Sequence, residues 1–176
     1  SNKFGAENPS PLSANLVFEQ SYHEIDGDSA SLTGLCALLS ALARQPISQR
    51  FAVTGAVDQF GNVQAVGGVN EKIEGFFRVC KIHGITGKQG IILPGTNAQQ
   101  LNLSDEVIAA VEAGQFHIHP VDHVEEAIEL LTGCVAGEPD MPDTLFGRIQ
   151  DRLDELNGTA PKSGVLRNLL GRLFGL

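Results

Sequence analysis

At 176 residues the chain has room for one domain and a modest appendage, and its 42% apolar content suffices for a core of useful size. Trp is absent and aromatic residues are few, so Val, Ile, Leu and Ala must do most of the packing. A net charge of −9 argues against nucleic acid as a partner, and the lack of any apolar run of spanning length argues against a membrane partner.

In chain order, residues 1–14 are rich in Pro, Ser, Asn and Gly and read as an irregular lead-in. The chain opens Ser1-Asn2 rather than with Met, which reads as a piece cut from a longer protein with a short cloning remnant. Residues 15–22 look like a strand. A tight polar stretch follows, His23-Glu24-Ile25-Asp26-Gly27-Asp28, and ends at Ser29. Residues 29–44 have helical period and small side chains, and the helix must stop before Pro46.

Residues 50–57 predict a strand, 58–62 a turn and 62–66 a returning strand, together a hairpin. Gly67-Gly68 breaks the pattern. A helix is predicted over about 70–83 with Asn70 as its cap, then a short buried strand over 90–93 closed by Pro94-Gly95. A helix at about 104–113, a strand at 115–119 and a helix at about 122–132 complete the unit at Gly133. Alternating strands and helices predict a two-layer α+β domain over 15–133. Residues 134–143 have linker composition, and 144–157 and 163–174 read as short amphipathic helices outside the main unit, in an appendage of unknown role over 144–176.

Cys36, Cys80 and Cys134 are odd in number and widely spaced, with no CxxC pair. That excludes a zinc ribbon and argues against a disulfide framework, so reduced thiols and a cytoplasmic location are expected. Cys36 lies in an apolar run and reads as a core residue.

Two segments carry the chemistry. Gly27-Asp28-Ser29-Ala30-Ser31 is a sharp polar turn entering a helix at a serine. Gly27 permits a tight backbone, Ala30 leaves room for a substrate chain, and the first helical N–H groups could stabilise an oxyanion beside Ser29. The same residues also fit a plain capping role for Asp28 or Ser29. Gly67-Gly68-Val69-Asn70-Glu71-Lys72 places a lysine in the first turn of a helix, where the dipole disfavours a cation and favours an amine able to act as a base. A solvated surface lysine is the bland counterpart.

Together these segments, with Ala52-Val53-Thr54-Gly55, Gly90-Ile91-Ile92-Leu93-Pro94 and His117-Ile118-His119-Pro120-Val121, resemble the proteolytic domain of Lon proteases from Asn15 to Gly133. The order and intervals match, with 43 positions from Ser29 to Lys72. The GDSAS form is similar to the B-type branch, which includes the bacterial Lon-related ATP-dependent proteases. The resemblance covers about two thirds of the chain.

The resemblance implies an α+β fold of the ribosomal protein S5 domain 2-like kind and a serine endopeptidase with a Ser29–Lys72 dyad. It implies that Thr54 holds the lysine through its hydroxyl and that Asp26 helps to shape the active-site loop, though a turn-forming role for Asp26 stays open. Gly27, Asp28 and Ala30 would support the nucleophile. It also implies unfolded polypeptide substrates, hexameric rings, and no cofactor or metal in this domain, with ATP and Mg bound by a separate ATPase module. No GxxxxGK(S/T) phosphate loop occurs here. Two departures stand out. Only 28 residues precede Ser29, so the start of the domain and the whole ATPase module are expected to be missing, and the Lys81–Lys88 connection looks longer than usual.

Rival readings have weaker footing. A Ser-His-Asp hydrolase could use His23, but the GxSxG elbow is absent because position 31 is Ser. His117, His119 and His123 could place two imidazoles on one strand face toward a metal, yet no carboxylate or cysteine completes a ligand set. A catalytically silent assembly or docking module is the non-enzymatic alternative. The C-terminal segment with Leu166, Leu169, Leu170, Leu173 and Phe174 has a membrane-surface look but is short, so packing on protein is expected.

Overall fold

The computed structural model describes residues 27–158. The expected lead-in, the strand at 15–22, His23, Asp26 and the helix at 163–174 lie outside the described residues.

A 3-10 helical turn, Gly27–Ala30, leads into helix α1, Ser31–Ala43. Leu32, Cys36, Leu39 and Ala43 recur at helical spacing and are its buried stripe. Arg44 closes α1 in the left-handed conformation, just ahead of Pro46.

The predicted strand at 50–57 is two strands, β1 (Phe51–Val53) and β2 (Ala56–Val57), parted at Thr54-Gly55. β2 pairs antiparallel with β3 (Val63–Gln64), so the hairpin is present. Asp58 builds its turn by accepting from the Phe60 and Asn62 amides at 2.8 and 3.0 Å.

Helix α2 (Val69–His83) follows, then β4 (Gly90–Pro94), a short α3 (Gly95–Ala98) not expected from the sequence, and α4 (Asp105–Glu112). β5 (His117–Val121) lies two residues later than predicted, because Phe116 is a fully buried turn residue rather than part of the strand. Helix α5 (Val124–Thr132) starts later too: His123 is its cap, with the ring accepting from the Glu125 amide. Gly133 ends it as predicted.

β1, β4 and β5 form a parallel sheet in the order β1-β4-β5, with Phe51 opposite Gly90 and Gly90 opposite His117. Among the described residues β5 is an edge strand, where Pro120 is tolerated. Side-chain alternation divides the core. Ile91 and Leu93 pack with Val69, Ile73 and Phe77 of α2 and Val107 of α4. Ile92 and Val121 face the other way, toward α1 and α5. The class is α+β. The expected helical layer on a sheet is present, and helices cover the second face as well, which buries every residue of β4.

Residues 145–156, expected to lie outside the main unit, form α6 (Leu145–Leu156) packed against α1. Thr144 caps α6 by accepting from the Gly147 amide. Leu145, Phe146 and Ile149 are buried in the same cluster as Leu32 and Cys36. Each such burial contributes roughly 1.5–3 kcal/mol, ample reason for the segment to fold onto the domain. Even the linker-like 134–143 stretch buries Ala136. Among the described residues no helix is long and apolar enough to cross a membrane.

Candidate active site

The turn that holds Ser29 is stitched to the segment leaving β1. The Gly55 amide donates to the Ser29 carbonyl at 3.0 Å, and the Leu32 amide donates to the Gly55 carbonyl at 3.1 Å. Thr33 Oγ1 donates to the Val53 carbonyl at 3.2 Å. Gly55 suits this close approach. A Cβ there would stand 3.0 Å from Leu32 Cδ2 and 3.2 Å from Val63 Cγ1.

Gly27, Asp28, Ser29 and Ala30 make up the turn; Ser29 is half-buried and Asp28 exposed. Neither Asp28 nor Ser29 occupies the cap position of α1. Ala30 does, with no side-chain cap bond. The Leu32 amide, one of the first helical N–H groups, is committed to Gly55, so any oxyanion donor must come from another amide.

Lys72 reaches the same place from the opposite side. The predicted first-turn position holds, since its amide donates to the Gly68 carbonyl at 3.1 Å. Gly68 caps α2 at φ 65°, a left-handed conformation suited to glycine. Asn70, expected as the cap, lies inside the helix, and its Oδ1 instead accepts from the Asn102 amide at 3.0 Å. Val69, Ile73, Phe77 and Cys80 anchor α2 on the sheet.

Thr54 joins the two sides. It is 5% exposed, and its amide donates to the Ile92 carbonyl at 3.0 Å. Lys72 Nζ donates to Thr54 Oγ1 at 3.2 Å, and Thr54 Oγ1 donates to the Ser29 carbonyl at 3.4 Å. A hydroxyl has one proton and two lone pairs, so it can serve both at once. Ser29, Thr54 and Lys72, far apart in sequence, thus meet in one hydrogen-bonded group. The bond to Thr54 fixes where the Lys72 side chain ends, on the same hydroxyl that holds the Ser29 backbone.

The three histidines have other occupations. His117 Nε2 contacts the Gly87 carbonyl at 2.9 Å. His119 sets its ring edge-on to Phe51 at 5.3 Å, and burial, then the neighbouring His117 and Arg50, lower its pKa. His123 caps α5, and its Nε2 meets the Phe60 carbonyl at 3.1 Å. Among the described residues no three His, Cys, Asp or Glu side chains gather as metal ligands. Burial pushes the Cys36 thiol up to about 12, in keeping with a core residue.

Sequence reasoning missed the stitching of residues 29–33 to 53–57. Gly55, a glycine inside the predicted 50–57 strand, was the available sign.

A family model described as the Lon protease (S16) C-terminal proteolytic domain matches residues 22–133. A Lon protease homologue from Haemophilus influenzae is 52% identical over 162 residues, covering 92% of this chain and 24% of its own length. One from Escherichia coli is 53% identical over 143 residues, covering 81% of this chain and 24% of its own. An archaeal Lon protease from Methanocaldococcus jannaschii is 40% identical over 116 residues, covering 66% of this chain and 15% of its own. The chain therefore spans about a quarter or less of the length of these curated relatives. Matched by the family model over most of its length, and 52% and 53% identical to two such relatives over the aligned residues, the chain belongs to the Lon protease (S16) C-terminal proteolytic domain family.

Proposed function

We propose that the domain is a serine endopeptidase in which Ser29 is the nucleophile and Lys72 its general base. The observation that supports this best is the Lys72–Thr54–Ser29 hydrogen-bonded group. In the first step Lys72, acting as the base, takes the Ser29 hydroxyl proton as Oγ attacks the peptide carbonyl carbon. The tetrahedral oxyanion collapses, the C–N bond breaks, and Lys72 returns the proton to the leaving amine. Water then gives a proton to Lys72 as it attacks the ester carbon, the Ser29 Oγ–acyl bond breaks, and Lys72 returns that proton to Ser29 Oγ, releasing the carboxylic acid product. Thr54 orients the amine throughout, and Asp26, Gly27, Asp28 and Ala30 shape the loop around the nucleophile.

By the family resemblance the reading extends to the whole protein. It is a cytoplasmic, ATP-driven protease acting on unfolded polypeptides as a hexameric ring, with ATP and Mg in a separate module and no cofactor in this domain. Ser29→Ala in the intact protein tests the proposal: peptide cleavage should disappear while any ATP hydrolysis persists. Peptide cleavage at the wild-type rate in that variant would overturn it.

A further inference from the structure

Ser31, the last residue of the GDSAS motif, has no part in the reading above, yet its hydroxyl makes two hydrogen bonds. Its Oγ donates to the Asp28 carbonyl at 2.9 Å and accepts from the Val57 amide at 3.0 Å. An ordinary capping serine would accept from an amide two or three residues ahead in its own helix. These bonds run backward to the turn and across to a strand 26 residues away.

We propose that Ser31 is a positioning residue for the nucleophile, its hydroxyl latching the Asp28–Ser29 peptide to β2. The inference rests on the assignment of Ser29 and Lys72. The peptide after Ser29 is already held, because its carbonyl accepts from the Gly55 amide and Thr54 Oγ1. The peptide before Ser29 is held through Asp28 by Ser31. Both anchors lie in one segment, 54–57, and the same segment supplies the hydroxyl that receives Lys72. Nucleophile and base are thus referred to a common piece of backbone. Without the Ser31 hydroxyl the Asp28–Ser29 peptide plane can rotate, and the Ser29 side chain leaves the direction from which Lys72 can take its proton.

The test compares Ser31→Thr, which keeps the hydroxyl, with Ser31→Val, which keeps the same branched shape without it, and with Ser31→Ala. In the intact protein one measures the rate of Ser29 labelling by a fluorophosphonate, together with kcat and KM for a peptide. Val and Ala should lower the labelling rate and kcat by about tenfold to hundredfold with KM within about twofold, and Thr should stay close to wild type. Wild-type labelling in the Val variant, or an equal fall in Thr and Val, would overturn the latch. If Ala fails to fold, the Thr and Val pair decides. Wild-type labelling in Lys72→Gln would instead sink the dyad. A dead Lys72→Gln beside a normal Ser31→Val would sink only the latch.

Discussion

Lys72 Nζ and Thr54 Oγ1 lie 3.2 Å apart, one in the first turn of α2 and the other just past the end of β1. Thr54→Val keeps the shape of this buried side chain and removes the hydroxyl. The Ser29 carbonyl keeps the Gly55 amide, so the stability loss should be modest, about 1 kcal/mol, while the amine loses its orienting partner. Peptide turnover should fall about tenfold to hundredfold, and Thr54→Ser should recover most of it. Steady-state kinetics beside denaturant unfolding would separate the two effects.

Gly55→Ala should be worse for folding. The added methyl meets Leu32 and Val63 in a packed place, at a cost of roughly 1–3 kcal/mol, and pushes the Ser29 turn away from β2. Thermal unfolding should show the loss and peptide assays a fall in kcat. An unchanged midpoint would contradict the close approach.

Removing core from α6 tests whether residues 145–156 belong to the domain. Leu145 and Ile149 are fully buried against the α1 cluster. Either residue changed to Ala should cost about 2–5 kcal/mol in denaturant unfolding. A loss below about 0.5 kcal/mol, ordinary for surface substitutions, would mean the helix is only loosely attached.

His119 predicts a pH effect on stability. Burial, then His117 and Arg50, hold its folded pKa below the ordinary 6.5. Between those two values the unfolded chain binds a proton that the folded chain does not, so stability rises with pH across that window. It should fall as pH drops below 6.5 toward the lowered value. Unfolding at several pH values should show a shallower decline in His119→Gln than in the parent protein.

Much of the fold is legible in the residues themselves. The spacing of Val69, Ile73, Phe77 and Cys80 after Gly67-Gly68 locates α2 and so puts Lys72 in its first turn. The turn residues at 58–62 between two strand-like stretches locate the hairpin. The fate of α6 is not legible. Gly137, Pro139 and Pro142 announce a break in regular structure, but composition does not say where the chain goes next, and here α6 returns to α1. β5 misled for a local reason: Phe116 looks like a strand residue but fills the core from a turn. Within the site, the pairing of residues 29–33 with 53–57 runs through hydroxyls and a glycine between distant segments, and no periodicity records such contacts.

The dyad itself is tested by mass spectrometry of the intact protein after exposure to a fluorophosphonate, in wild type and in Lys72→Gln. The adduct should sit on Ser29 and form at least about a hundredfold more slowly in the variant, with its melting temperature little changed. An adduct on a different side chain, or equal labelling rates in the two proteins, would contradict the assignment.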